Sequence, residues 1–349
     1  MLDFRFYLWR EKNKKQNNIK LYKIIDYKNK MFKTTIVTMF FNLKRFNDAS
    51  TLTRPLDFYI KNGVNTLKLK YPMVIFCDED SVEFLKKIRD EEVDPEIIPT
   101  IYIIKSLTEY DYYIHNWNII HDNRARSNGY KNPNNRNTVS YFLMGMFKPL
   151  ALQIAKQRND FNTSHYAWID LGCSHMTKEM DEYAPKMLDN PLPKVAVCYI
   201  HYRPHELLVD MKTFMEHDGP CGIASTAYTV EREYVDKYYN LMFTTFNDML
   251  FTGYGHTDET VMIYSYDRHP EIFTIFNGDY PSVFMNYHVP IADLDLISKV
   301  FVTSCIYYKR YDLAKEVMTR VKNALLQKNI LNDFEESILS SYTRLIHTL

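Results

Sequence analysis

Three stretches of the chain hold side chains that could do chemistry. In HYAWIDLGCSHM, residues 165–176, four largely apolar residues from Tyr166 to Ile169 run into a lone acid, Asp170, and the chain turns at Gly172. A carboxylate so placed fits a metal, a phosphate or only a turn. Cys173 with His165 and His175 suggests zinc, but the spacing matches no common structural zinc pattern and a fourth ligand is not evident. In HTDET, residues 256–260, Asp258 and Glu259 fall in the first turn of a helix, where acids also complement the macrodipole. In HYRPH, residues 201–205, two histidines stand four apart, but Pro204 prevents a regular helix there, so they read as loop residues.

Pattern predicts the elements that must carry these residues. TTIVTMFFNL (34–43), YPMVIFCDED (71–80) and IIPTIYIIKS (97–106) are β-branched and aromatic runs of strand type. A helix over Asp57 to Lys61 is expected to stop at Asn62-Gly63, and SVEFLKKIRDEE is a second helix with Val82, Leu85 and Ile88 on one face. Strands alternating with helices predict a mainly parallel sheet, which places ligands at the carboxyl ends of its strands. Thr38–Asn42 and Asp78–Asp80 meet that rule. Residues 121–137 are polar and turn-rich and read as a long surface loop. TVSYFLMGMFKPLALQIAKQRNDF is helical, with Pro149 expected to interrupt it or start it anew. HYAWID and PKVAVCYIHYRP are a fourth and a fifth strand. GPCGIASTAYTV (219–230) reads as a small-residue segment leading into the helix EREYVDKYYNLMFTTFNDML, and the next helix, from Thr257-Asp258-Glu259, holds VMIYSYDRHPEIF. From Asp293 the pattern becomes three helices, with Leu313, Val317, Val321 and Leu325 recurring every four residues.

Composition narrows the class. The chain has 349 residues, 46% hydrophobic and 15% aromatic, enough for a sizeable core. Only nine glycines are present, and neither a Walker nor a Rossmann glycine fingerprint occurs. Net charge is zero, but residues 1–33 carry about +7 and the remainder about −7. The body lacks the basic stripe with interleaved aromatics expected of a nucleic-acid binder. The five cysteines are odd in number, widely spaced and without a CxxC, which predicts reduced thiols in a cytoplasmic setting. No apolar run is long enough to span a membrane, and the N-terminus does not read as a signal peptide.

Taken together, TTIVTMFFNL, NTVSYFLMGMFKPLALQIAKQRNDF, HYAWIDLGCSH and HTDETVMIYSYDRHPEIFTIFNGDY resemble the successive blocks of the HtrL/YibB (WlaTC-like) family, proteins of bacterial surface-polysaccharide loci that are similar to GT-A-fold glycosyltransferases. The resemblance covers roughly residues 34–290. It implies a basic extension over 1–33, a GT-A-like α/β catalytic domain over 34–292 and a helical segment over 293–349. It also implies a site. Asp170 takes the position of the Asp-x-Asp acid that binds Mn²⁺ or Mg²⁺ on a nucleotide-sugar diphosphate, a hard cation that offsets leaving-group charge. Leu171 and Gly172 stand where a second acid belongs. His288 resembles a late metal-ligating histidine. Thr38, Phe40, Phe41 and Asp78 fall where the nucleoside is held. Lys148 is the cation expected near the diphosphate, and Arg54 is a weaker candidate. Asp258 or Glu259 is the base that takes the acceptor proton.

The function so implied is metal-assisted transfer of a sugar from a nucleotide-sugar donor to a glycan or other hydroxyl acceptor, with no nucleic-acid partner and with a homodimer left open. The alternative is a catalytically silent GT-A-like module that binds a carbohydrate or a partner.

Overall fold

A computed structural model describes residues 32–50, 53–126, 137–217, 222–288 and 297–349. The chain alternates β1 (Thr34–Phe40), α1 (Leu56–Leu67), β2 (Met73–Cys77), α2 (Glu79–Glu92), β3 (Thr100–Ile104), α3 (Asp111–Arg126), α4 (Val139–Arg158), β4 (His165–Ile169), α5 (Met180–Asp189) and β5 (Val195–Tyr199). It continues through β6 (Ile223–Glu231), α6 (Val235–Phe251), α7 (Asp258–Arg268), β7 (Phe273–Asn277), α8 (Tyr311–Leu326) and α9 (Asp333–Thr348). Seven strands form one sheet in the order β3-β2-β1-β4-β6-β5-β7. All neighbours run parallel except that β6 is antiparallel to both β4 and β5. This is the expected α/β class, a mainly parallel sheet flanked by helices and followed by a helical segment.

The central strands are buried on both faces, as expected where helices cover each side. All seven residues of β1 and all five of β2 and β5 are buried. One core layer joins the sheet face carrying Val37, Val74, Trp168 and Tyr228 to α4, α6 and α7; the opposite layer packs Ile36, Ile75 and Ala167 against α1, α2 and α5. The C-terminal helices share the first layer, through Val317, Met318, Val321 and Leu325, and Arg320 donates to Asn277 Oδ1 at 2.8 Å.

Several elements depart from the sequence reading, each for a tertiary reason. α1 runs through Asn62-Gly63, because Gly63 is a packing contact and not a stop: a Cβ there would lie 3.1 Å from Leu171 Cγ. α4 runs unbroken past Pro149, because burial of most of its length outweighs one missing hydrogen bond. Residues 121–126, read as loop, close α3; 127–136 lie outside the described residues. The segment expected to lead into a helix at 223–230 is β6, its small residues fitting a fully buried strand. The helix expected to hold PEIF ends at Arg268, and Phe273–Asn277 forms β7. A short helix, His205–Val209, begins directly after Pro204, which supplies its first boundary. The basic extension up to residue 31, and the expected boundary at 292–293, lie outside the described residues.

Candidate active site

The antiparallel direction of β6 brings its first residues to the carboxyl end of β4. Asp170 N–H donates to Thr226 O at 2.9 Å, extending the β4–β6 ladder one step beyond Ile169. Side chains two apart on a strand share a face, so Trp168 lies beside Asp170, and its Nε1–H donates to Asp170 Oδ1 at 2.7 Å. The α4 helix lies on that face. Its Lys148, only 6% exposed, reaches Asp170 Oδ1 at 3.0 Å and Asp258 Oδ2 at 3.1 Å. It also donates to Ser225 O at 3.1 Å and Ser225 Oγ at 3.0 Å. Asp258 Oδ2 accepts no aligned hydrogen bond, so its contact with Lys148 is one of charge.

The N-terminus of α7 meets α4 at Gly145. A Cβ at that position would stand 2.7 Å from Asp258 Oδ1 and 3.3 Å from the Asp258 backbone nitrogen, so only glycine permits the approach. Thr257 occupies the N-cap position without a side-chain cap bond. Glu259, the next acid, is held from other elements: Tyr280 OH donates to its Oε1 at 2.7 Å, Ser225 N–H at 3.3 Å and Ser225 Oγ at 3.4 Å.

A bulge makes the Ser225 contact possible. β5 pairs Ala196 with Thr229 and Cys198 with Ala224, so several residues of β6 face one residue of β5. Ser225 thereby escapes the β5 ladder, and its N–H is available to a carboxylate.

The charges shift one another. Burial and the adjacent Asp258 push the Glu259 carboxyl up to about 7, against the Tyr280 hydrogen bond and Lys148. Burial also raises Asp258 above the usual carboxylate range, with Lys148 opposing. Burial alone would pull the Lys148 ammonium down, but Asp170, Asp258 and Glu259 outweigh it and hold the group above the ordinary lysine range. The Tyr141 phenol, seven residues before Lys148 on α4, is raised by burial and then by Glu259.

A cleft of about 870 Å³ opens at the carboxyl ends of β1, β2 and β3, lined in part by Asn42, Asp78, Lys105, Glu109, Tyr113 and Trp117. Asn42 N–H donates to Asp78 Oδ2 at 3.0 Å. Burial raises the Asp78 carboxyl, against that hydrogen bond and Arg45.

The structure thus brings Lys148, Asp170, Asp258 and Glu259 together and sets Asp78 in the neighbouring cleft. It does not bring the other expected residues there. Thr38, Phe40 and Phe41 are 0%, 5% and 3% exposed. Phe40 packs on Tyr59 and Phe84, and Phe41 on Phe147, so the aromatic pair is core and not a stacking platform for a base. Lys148 is not a free diphosphate cation, because four oxygens already surround its three donors. His288 is exposed and meets the Lys186 carbonyl at 3.3 Å, away from Asp170. Gly172 presents no side chain, and a Cβ there would press on Tyr59 at 3.3 Å.

These residues do not fit the divalent cation expected at Asp170. Its Oδ1 already accepts from Trp168 and pairs with Lys148, the position of the second acid holds a glycine, and the late histidine lies elsewhere. Among the described residues no group of three or more His, Cys, Asp or Glu side chains is spaced to hold a metal ion. Ser225, Tyr280 and Trp168 were not found from sequence. The signal for Tyr280 was its place in the NGDY block, and that for Ser225 the run of small residues in CGIAS.

A family model described as a bacterial protein of unknown function, HtrL_YibB, matches residues 32–289. The chain belongs to that family. The match spans the whole sheet and every residue of the charged cluster, and it stops before α8 and α9. No curated protein matches the chain significantly. Among solved structures, this HtrL_YibB chain is similar to mouse xyloside xylosyltransferase 1 at 14% identity, covering 69% of this chain and 84% of that one with a TM-score of 0.35. It is similar to the PaToxG glycosyltransferase at 12% identity, covering 95% and 94% with a TM-score of 0.31. It is also similar to a 4-diphosphocytidyl-2C-methyl-D-erythritol synthase from Anaerococcus prevotii at 10% identity, covering 82% and 98% with a TM-score of 0.32. No described helix is long and apolar enough to cross a membrane.

Proposed function

We propose that the protein is a glycosyltransferase, moving a sugar from a nucleotide-sugar donor to a hydroxyl of a glycan or similar acceptor. The observation that carries this reading is the cluster at the carboxyl ends of the strands in which Lys148 bridges Asp170 and Asp258 and Ser225 joins Glu259 to them, beside a cleft of about 870 Å³. In this reading the nucleoside lies in the cleft, with Asp78 accepting from base or ribose. The acceptor hydroxyl attacks the anomeric carbon, the bond to the nucleoside diphosphate breaks, and the hydroxyl proton passes to Glu259. A carboxylate lifted to about 7 suits that task, since a base works best when its pKa lies near the operating pH. Lys148 fixes the carboxylates, and Tyr280 and Ser225 aim Glu259.

Thermal unfolding with a panel of nucleoside diphosphates tests donor binding. A real site should stabilise the fold by about 2.7 kcal/mol at a hundredfold excess over Kd. No shift with any of them would sink the reading. A second reading, a silent GT-A-like binding module, draws on one observation: Asp170 and Asp258 are both tied to Lys148 and a glycine stands where a second acid belongs. Release of free sugar or glycoside from a nucleotide-sugar panel separates the two, since a silent module turns nothing over.

A further inference from the structure

Directly beyond Asp170 the chain builds an arrangement that the charged cluster does not use. His175 Nδ1 meets Gly172 O at 2.5 Å, and His175 Nε2 meets Arg54 Nη1 at 2.6 Å. A carbonyl can only accept, so Nδ1 carries the proton; a guanidinium can only donate, so Nε2 is bare. The two contacts together define one neutral tautomer of His175, whose lone pair holds Arg54. Phe58 packs edge-on against the imidazole, and the Arg54 guanidinium lies over the Phe58 ring at 4.5 Å from its centroid. The loop itself is pinned to α1: Thr66 Oγ1 donates to Leu171 O at 3.0 Å and Ser174 Oγ to Asn62 O at 2.8 Å.

Arg54 has no carboxylate partner among the described residues, whereas Lys68, just past the end of α1, pairs with Asp181 at 2.8 Å. A neutral imidazole orients a guanidinium without neutralising it. The full positive charge therefore stands at the loop where a second metal-binding acid would otherwise project. A guanidinium fork offers several donors matched to phosphate oxygens and stays charged at every working pH.

We propose that Arg54, aimed by neutral His175 against the Gly172 carbonyl, meets the diphosphate of the donor, and that donor binding in this protein needs no divalent metal ion. This rests on the nucleotide-sugar reading above. Arg54 compensates the charge on the diphosphate oxygens, and His175 is a positioning residue.

The test is calorimetric titration of the full chain with UDP, GDP, ADP, the matching nucleosides and inorganic pyrophosphate, each in EDTA and in Mn²⁺. The expected result is a nucleoside diphosphate bound equally in both, within about threefold. Arg54→Gln should weaken that diphosphate and pyrophosphate at least tenfold while leaving nucleoside affinity and the melting temperature unchanged. Arg54→Lys should recover part of the loss. His175→Phe, which keeps the ring and removes the acceptor, should weaken the diphosphate but not the nucleoside. Binding in Mn²⁺ alone, or a less than twofold effect of Arg54→Gln, would overturn the inference and leave the donor reading standing. Binding of no nucleotide in either medium would overturn both.

Discussion

At the scale of single residues, the site is a set of carboxylates around one buried ammonium, and each member has a distinct expected phenotype. Glu259→Gln should lower kcat by about a hundredfold to ten-thousandfold with KM little changed, as removal of a positioned base does. The native kcat/KM should rise with pH through about 7, and the variant should lose that step. The same carboxyl affects stability with a definite sign. Its folded value lies near 7 and its ordinary value at 4.5, so the native state holds the proton more tightly. Stability contributed by that proton is complete below about 4.5 and lost as pH rises through about 7. Melting temperatures at pH 8 should therefore be higher for Glu259→Gln than for the native chain, and equal at pH 4. Lys148→Met should cost about 3–5 kcal/mol by denaturant titration, because it leaves buried Asp258 uncompensated, and adding Asp258→Asn should recover part of that loss. Asp170, Asp258 and Glu259 were legible in sequence, because an acid just past a strand or in the first turn of a helix stands out against the apolar run beside it. Lys148 was visible as a candidate but not in its role, since only the fold shows that its donors are saturated. Phe40 could not be placed from sequence, because position in a motif does not say which face of the sheet a side chain takes, and His288 could not because it lies in a turn beyond β7, outside the sheet.

At the scale of elements, the approach of α4 to the N-terminus of α7 sets the spacing of the cluster. Gly145→Ala inserts a methyl group where 2.7 Å separates the built Cβ from Asp258 Oδ1. The expected cost is about 1–3 kcal/mol in a denaturant melt, with a larger proportional loss of turnover than of stability. A variant that melts normally and turns over normally would show that the two helices have slack the structure does not display. The first five strands were legible from β-branched and aromatic runs bounded by turns. β6 was hidden because IASTAYTV is composed of small residues whose burial depends on β4 and β5 on either side. β7 was hidden because helix and strand patterns adjoin across His269-Pro270 without a glycine between them.

At the scale of the whole molecule, the C-terminal helices belong to the same core layer as the site-bearing face of the sheet. Val317, Met318, Val321 and Leu325 are at most 1% exposed, and burying each stabilises by about 1.5–3 kcal/mol. That sum is comparable to a typical total stability of about 5–15 kcal/mol. A chain ending at residue 296 should thus lose the cooperative melt seen by circular dichroism, and a truncated chain that melts cooperatively near the native temperature would refute this dependence. The change of pattern after Asp293 was plain in the sequence. That the helices would seal the sheet, and not stand apart from it, was not, because amphipathic spacing reveals an apolar stripe without naming the surface it covers.

The bulge opposite Val197 stores its information as a count of residues and not as their identity. Replacing Thr226 or Ala227 one at a time leaves the same length of chain between Ala224 and Thr229, and with it the freed amide of Ser225. Deleting a single residue in that interval would slip β6 by one place against β4, where Ala227 pairs with Ile169 and Tyr228 with Trp168, and would turn the side chains beyond the cut to the other face of the sheet. Such a deletion should cost the sheet and the site together, a coupling that no scan of substitutions across β6 would reveal.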